Sequence, residues 1–130
     1  MPPYPWHFGG QSYHNLFVEL NEILNFCLKY DYRICFDTSH SFMAALHTGE
    51  DFENYVKKLK DITCHYHISD AIGLDGEGIQ IGKGEIDWGT FFKIVFSNQE
   101  VSFVPEIWQG HKESGNEFYE SLRIINKYIN

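Results

Sequence analysis

The sequence predicts an α/β fold in which three short strands alternate with helices within a single domain, residues 1–130. Three observations predict it. Three runs of β-branched and aromatic residues have strand character, and the apolar residues between them recur with a helical period. The third observation is the spacing of roughly 30 to 40 residues from each strand to the next, which suits right-handed βαβ units. The predicted sheet is therefore parallel.

The composition restricts the class of protein. Of the 130 residues, 43% are apolar and 17% are aromatic, which is too much for a disordered chain. The net charge of −8 argues against a nucleic-acid or anionic-membrane partner, because phosphate binding needs a basic surface. No apolar run approaches the roughly 20 residues of a membrane-spanning helix, and the N-terminal residues lack the pattern of a signal peptide. We therefore expect no nucleic acid and no membrane among the partners.

The three cysteines stand singly in apolar surroundings without CxxC spacing: Cys27, Cys35 and Cys64. This pattern is typical of reduced, buried thiols rather than of a disulfide framework. The sequence therefore predicts a cytoplasmic protein.

The first half of the chain contains a predicted loop, two helices and one strand. Proline, aromatic and glycine residues predict a loop over residues 1–10. A β-branched and aromatic run over residues 33–37 predicts the first strand, which ends abruptly in polar residues. The two helices are predicted from apolar residues with helical spacing, at Leu16, Leu20, Ile23, Leu24 and Cys27 and at Phe52, Tyr55, Val56, Leu59 and Ile62.

The second half contains two further strands and two further helices. The strands are predicted over residues 64–69 and 101–107, with a glycine-rich loop over about residues 70–85 after the first of them. Asp87 is suited to cap the helix that follows this loop. The last helix carries Phe118, Leu122, Ile125 and Ile129 on one stripe. Three strands in one parallel sheet leave two unprotected edges, which is unusual for a self-sufficient domain.

Each predicted strand ends in a residue that can bind a metal ion. Because side chains alternate across a strand, Asp37, His67 and Glu106 close the more polar face of the three strands. All three lie at the carboxyl ends of parallel strands, where α/β folds assemble their sites. Two carboxylates and an imidazole suit a divalent cation such as Mn²⁺, Co²⁺ or Zn²⁺. The sequence therefore predicts a metal or substrate site at this edge of the sheet.

Each of these residues also has a purely structural interpretation when it is taken alone. Asp37 precedes Thr-Ser and can cap a turn or helix. His67 can be a hydrogen-bonded core histidine, and Glu106 can be the solvent-exposed end of a strand. The joint pattern of three ligand types on one face favours the site, and the alternatives stay open at this point.

Four motifs that include these residues follow one another along the chain: ICFDTSH (34–40), CHYHISDA (64–71), GEGIQIGKGEIDW (76–88) and VPEIW (104–108). Together they resemble the C-terminal half of the xylose isomerase-like TIM barrels, which include sugar phosphate isomerases and epimerases, ketose 3-epimerases and endonuclease IV. The resemblance implies a partial (β/α)8 barrel made of about three parallel strands with four helices, strands six to eight of the family barrel. The residue pattern at positions 67–87 is similar to that of family members associated with bacterial sialic-acid-type surface sugar synthesis.

The resemblance also implies roles for particular residues. Asp37, His67 and Glu106 match three of the four ligands of a divalent metal, Mn, Co, Zn or Mg. His40 matches a histidine that contacts substrate or, in the relatives with several metal ions, a further metal. The implied chemistry is isomerisation or epimerisation of a sugar or sugar phosphate through an enediolate, with Glu106 as an acid/base residue. The fourth ligand, a glutamate, and its strand would lie upstream of Met1.

Further candidates lie in two loops. Lys83, in the glycine-rich loop, is a possible anion contact or a solvated side chain, and the loop lacks the Walker pattern. Trp6 and His7 would border the pocket of a complete barrel or only cover exposed core. The endonuclease interpretation is disfavoured because residues 76–80 lack the histidine that the resemblance requires.

The partners implied are a small-molecule sugar and either a second copy of the chain or a chain that supplies the missing strands. The alternative function is a catalytically inactive structural or interaction module that oligomerises through its open sheet edges.

Overall fold

The structure, a computed structural model, describes residues 1–96 and 101–129. Within these ranges it has seven short strands and five α-helices, together with 3₁₀ turns at Lys60–Ile62 and Glu113–Gly115. The strands are β1 (Trp6–Phe8), β2 (Gln11–Tyr13), β3 (Ile34–Asp37), β4 (Thr63–Ile68), β5 (Asp70–Ile72), β6 (Gly76–Ile79) and β7 (Ser102–Pro105). The helices are α1 (Leu20–Tyr30), α2 (Thr38–Thr48), α3 (Phe52–Leu59), α4 (Trp88–Val95) and α5 (Asn116–Ile129).

The central sheet contains three parallel strands in the order β3-β4-β7, as the sequence predicts. In its register Asp37 lies beside His67, and His67 lies beside Val104. The ladder continues one step past β7, because the backbone N–H of Glu106 donates to the carbonyl of Ile68 at 3.0 Å. The carboxyl ends of all three strands therefore meet at one edge of the sheet.

Helices cover one face of this sheet. The side chains of Phe36, Tyr66 and Ile68 point to that face and are almost completely buried, in one apolar core with residues of α2, α3 and α4. The opposite face, which carries Cys35, Val104 and the candidate site, is exposed or half-buried. The polar face predicted from strand alternation is therefore the uncovered face.

Helix α2 is the main difference from the predicted architecture, which had four helices instead of five. Asp37 caps it by accepting from the backbone N–H of His40 at 3.0 Å, and Gly49 ends it in the left-handed region (φ 72°). The apolar residues of α2 form an unbroken run, 42–46, so the helix has little amphipathic period. Strand β3 passes into α2 without a loop, and this also hides the boundary in the sequence.

The glycine-rich segment is a β5–β6 hairpin with an ordered extension, rather than only a loop. The fully buried carboxylate of Asp70 lies at the centre of the hydrogen bonds that hold this segment. Four donors satisfy this carboxylate, namely the backbone N–H groups of Ala71, Gly82 and Ile86 and the indole N–H of Trp88. A Cβ on Gly84 would lie 2.3 Å from an Asp70 oxygen, so the segment needs glycine there.

The N-terminal segment and two of the cysteines differ from the sequence-based expectation. Residues 1–10 include β1, which pairs antiparallel with β2, so they are not entirely a loop. Cys27 is buried as predicted, but Cys35 and Cys64 are exposed, because Cys35 lies on the uncovered sheet face and Cys64 near the start of β4. Among the residues described, no helix combines the length and apolarity that crossing a bilayer requires.

Candidate metal centre and adjoining cavity

The three strand-end residues come together at the carboxyl edge of the sheet. Ligand atoms of Asp37, His67 and Glu106 all lie within 4.8 Å of one another. The Nδ1 atom of His67 is 2.7 Å from Oε2 of Glu106. Asp37 and His67 are direct neighbours in the register of β3 and β4, and Glu106 lies just past the end of β7, where its N–H continues the ladder.

This donor set fits a divalent cation. Ligand atoms bound to one ion at about 2.0–2.2 Å lie roughly 3 to 4.4 Å apart. Binding would therefore draw the cluster slightly closer than 4.8 Å and would separate the hydrogen-bonded atoms of His67 and Glu106, which are 2.7 Å apart. Carboxylate oxygens and imidazole nitrogen are ligands that Mn²⁺, Co²⁺ and Zn²⁺ accept. The side chains of His67 and Glu106 are 37% and 54% exposed, which leaves room for an additional ligand or for substrate.

His40, on the first turn of α2, joins this cluster to a second carboxylate. Its Nδ1 atom is 2.9 Å from Oδ2 of Asp37, and its Nε2 atom is 2.9 Å from Oε2 of Glu77. The hydroxyl of Tyr4 donates to the same Glu77 oxygen at 2.6 Å. Both ring nitrogens of His40 therefore face carboxylates, and this is the arrangement of an imidazolium that donates twice.

The pKa shifts of His40 and Asp37 agree with this arrangement. Burial alone would lower the pKa of His40, but hydrogen bonds and charges from Asp37 and Glu77 raise it above its ordinary value. Burial alone would raise the pKa of Asp37, but the hydrogen bonds from His40 and Ser39 and the charge of His40 hold it below its usual range. Each partner thus stabilises the charged form of the other.

Two cavities adjoin Asp37 and His40. One, of about 510 Å³, lies between the strand ends and the loop after β7. Its lining includes Asp37, His40, Glu77, Glu106, Trp108 and Lys112. The other, of about 370 Å³, is mainly apolar and lies toward α1 and the edge of β3. The first cavity combines two candidate ligands, Asp37 and Glu106, with an aromatic wall and a cation, which is a composition suited to a polar small molecule, and His67 lines the second cavity.

Two of the remaining predicted site residues, Lys83 and His7, lie outside both cavities. Lys83 is exposed in the turn after β6, and neither cavity beside Asp37 includes it among its lining residues. His7 is exposed on β1, and it too is absent from both linings. Trp6 contributes its backbone to the same strand.

Three residues of the larger cavity are not among the site residues that the sequence predicts. Glu77 belongs to a glycine-rich segment without periodicity, so nothing local indicated that it reaches His40, 37 positions earlier. Trp108 and Lys112 follow the predicted strand end, and the exposed indole of Trp108 (71%) lies on the cavity wall. The signal available for them was their closeness in sequence to Glu106.

The fold and the site place the protein in a general class: it is an α/β chain whose candidate site lies at the carboxyl ends of parallel strands, as in (β/α)8 barrels. The family follows from the sequence comparison. The profile of the xylose isomerase-like TIM barrel family matches residues 1–128, and the chain belongs to this family. No curated protein matches the chain at a significant level.

A solved structure gives an independent comparison of the fold. The crystal structure of a D-tagatose 3-epimerase-like protein superposes with a TM-score of 0.60 at 22% sequence identity. The match covers 100% of this chain and 47% of that one, so the chain spans about half the length of the protein it resembles. This likeness concerns the fold, and it agrees with the family assignment.

Proposed function

We propose that the chain carries the metal-binding half of a sugar isomerase or epimerase and corresponds to strands six to eight of a (β/α)8 barrel. The proposal is supported chiefly by the convergence of Asp37, His67 and Glu106 within 4.8 Å at the carboxyl ends of three parallel strands. Membership of the xylose isomerase-like family supports a sugar as the class of substrate. Mn²⁺, Co²⁺, Zn²⁺ and Mg²⁺ are the cations proposed, with the first three preferred because of the imidazole ligand.

The roles of the residues follow from their chemistry. A bound divalent cation would polarise a carbonyl oxygen and so make the neighbouring C–H bond more acidic. Glu106 contributes a carboxylate that can accept that proton and return it to carbon, which is the acid/base step of isomerisation or epimerisation through an enediolate. His40, whose two ring nitrogens are both engaged, is better suited to hold Asp37 than to donate to a substrate.

We further propose that the sugar substrate carries a phosphate group. Lys112 lies in the lining of the larger cavity, whereas Lys83, which the sequence analysis selected as an anion contact, does not. We therefore assign the proposed anion contact to Lys112. A link to bacterial surface-sugar synthesis of the sialic-acid type is supported by the motif at residues 67–87 alone.

Titration calorimetry of Mn²⁺ binding tests the metal centre. We expect the wild-type chain to bind Mn²⁺ with sub-millimolar affinity and His67→Ala to lose at least tenfold, because an imidazole ligand is removed. His65→Ala is the matched control, since His65 lies on the same strand and the same face but bonds to Ser102 at 2.7 Å. Wild-type protein that binds no Mn²⁺ at sub-millimolar concentration would refute the proposal.

A module that associates through its sheet edges is the second candidate. Within the described residues, β3 and β7 each pair only with β4, so each presents one unpaired side. A second copy, or a chain that supplies further strands, would satisfy those backbone groups. Association without any metal binding would favour this candidate over the enzyme.

A further inference from the structure

We propose that Glu77 is a positioning residue that orients the candidate ligand Asp37 through the ring of His40. The inference rests on the proposed metal centre and adds to it a carboxylate that does not itself belong to the ligand cluster. It assigns to Glu77 a role in cation affinity rather than in contact with the cation.

The orientation of Asp37 depends on groups of α2. Its Oδ1 atom accepts from the hydroxyl of Ser39 and from the backbone N–H of His40, both at 3.0 Å. Its Oδ2 atom accepts from the His40 ring at 2.9 Å. Because a carboxylate oxygen has two lone pairs, Oδ2 can keep its one hydrogen bond and still offer electrons to a cation, whereas Oδ1 already accepts two hydrogen bonds. The Ser39 hydroxyl and the backbone N–H of His40 fix one oxygen, and the ring of His40 fixes the other.

The orientation of the His40 ring depends in turn on Glu77. A ring held at Nδ1 alone can swing about that hydrogen bond, whereas a second contact at Nε2 defines its plane. Glu77 supplies this contact at 2.9 Å, and the side chains of His40 and Asp37 are only 26% and 17% exposed, which limits competition from water. Hydrogen-bonded partners of metal ligands typically change cation affinity 10- to 100-fold when they are removed.

Glu77 is itself held from two sides. The hydroxyl of Tyr4, in the N-terminal segment, donates to its Oε2 atom at 2.6 Å. The next residue, Gly78, has φ +66° and accepts from the backbone N–H of Trp108 at 2.7 Å. The loop after β7 thereby fixes the backbone of β6 beside the cavity. A chain of contacts thus runs from Tyr4 through Glu77 and His40 to Asp37.

The test compares three variants by Mn²⁺ calorimetry and by the visible absorption spectrum of the Co²⁺-loaded protein. We expect Glu77→Ala to weaken Mn²⁺ binding by up to about tenfold, since Glu77 acts one contact further from the cation than His40, and to change the Co²⁺ spectrum, because Asp37 loses its orientation. Glu77→Gln keeps an oxygen acceptor for His40, so it should recover most of the affinity and the wild-type spectrum. Glu85→Ala is the control, since Glu85 lies just beyond the same hairpin and accepts from the N–H of Gly73.

The outcomes separate this inference from the proposed function. Wild-type binding of Mn²⁺ together with unchanged affinity in Glu77→Ala would overturn the inference and leave the metal centre standing. Absence of binding in the wild type would overturn both. Equal losses in Glu77→Ala and Glu85→Ala would reveal a general effect on the hairpin and would also overturn it. If Glu77→Ala does not fold, Tyr4→Phe decides: removal of only the hydroxyl should weaken Mn²⁺ binding about threefold, and unchanged binding would count against the inference.

Discussion

Single residues at this site combine an observed structural role with a proposed functional one. The sequence left open whether Asp37 is a helix cap or a ligand, and the structure makes it both the N-cap of α2 and a member of the 4.8 Å cluster. The two roles are compatible because they use different lone pairs of the carboxylate. Substitutions can therefore separate them.

Asp37→Asn should keep the cap and lose the charge that a cation requires. We expect its free energy of unfolding to fall by less than about 1 kcal/mol, because asparagine caps helices as well as aspartate does. Asp37→Ala should lose about 1 kcal/mol more, and both variants should bind Mn²⁺ at least tenfold more weakly. Urea denaturation and calorimetry measure the two effects. Equal stability of the Asn and Ala variants would contradict the capping role.

Lys112 and Lys83 form a matched pair for the proposed phosphate contact. We expect the metal-loaded protein to bind D-fructose 6-phosphate more tightly than D-fructose, and Lys112→Ala to remove most of that difference, about tenfold. Lys83→Ala should leave it unchanged, since Lys83 is exposed outside both cavities beside Asp37. Calorimetry with the two sugars makes the comparison. Loss of the difference in Lys83→Ala alone would reverse the assignment.

At the scale of elements, buried polar groups determine how the helices and the hairpin attach to the sheet. Asp70 anchors the β5–β6 hairpin with four hydrogen bonds, and Thr38 at the start of α2 donates to the carbonyl of Ser69 at 2.6 Å. Both contacts lie beside the carboxyl ends of β3 and β4. They hold His40 and Glu77, which lie on different elements, within reach of each other.

Two buried tyrosines should respond differently to loss of the hydroxyl. The Tyr66 hydroxyl forms no hydrogen bond of normal geometry within the described residues, although it lies near the side chain of Thr63, whereas the Tyr55 hydroxyl donates to the carbonyl of Val18 at 3.1 Å. We expect Tyr66→Phe to leave the free energy of unfolding unchanged or to raise it by up to about 1 kcal/mol, and Tyr55→Phe to lower it by about 1 kcal/mol. Chemical denaturation measures both, and a destabilised Tyr66→Phe would show that the hydroxyl is satisfied.

Tyr66 also makes stability depend on alkaline pH. Burial raises its pKa to about 12, while an exposed tyrosine in the unfolded chain ionises near pH 10. The unfolded state therefore releases the proton first, and the stability of the wild type should fall relative to Tyr66→Phe as the pH rises above about 10. Denaturation midpoints between pH 8 and 11 test this. Parallel curves for the two proteins would contradict it.

At the scale of the whole molecule, the sheet is covered on one face and unpaired at two edges within the described residues. A groove of about 510 Å³ runs between β7 and α5, and its apolar lining includes Phe103, Leu122, Ile125 and Ile129. In a complete barrel a neighbouring strand and helix would occupy such positions. A second copy of the chain is the occupant we propose for the isolated chain.

Sedimentation velocity over a range of concentrations tests this association. We expect the wild-type chain to form dimers or larger species, and Leu122→Glu to shift it toward monomer by placing a charge in the groove. Leu46→Glu is the control, because Leu46 on α2 is 45% exposed, close to the 42% of Leu122, but does not line the groove. A wild type that stays monomeric at every concentration would exclude the second copy as the occupant.

Much of the fold followed from local patterns. Runs of β-branched and aromatic residues predicted β3, β4 and β7, and helical spacing predicted apolar helices around them, because burial of one helix face leaves its period in the sequence. Helix α2 escaped because its apolar run has no period, and the β5–β6 hairpin escaped because its glycines obscure strand character. The strand-end residues Asp37, His67 and Glu106 were found because a parallel sheet aligns its carboxyl ends wherever the strands begin.

The network around the site had no such local signature. Tyr4 and Glu77 lie 73 positions apart, and His40 and Glu77 lie 37 apart, yet each pair is joined by a hydrogen bond. Such contacts depend on how the hairpin and the N-terminal segment pack against α2, which no spacing along the chain encodes. The choice of Lys112 over Lys83 in the cavity is of the same kind. Residue pattern was therefore sufficient for the strands and their terminal candidate ligands, and only the packing of distant segments selected the residues that surround them.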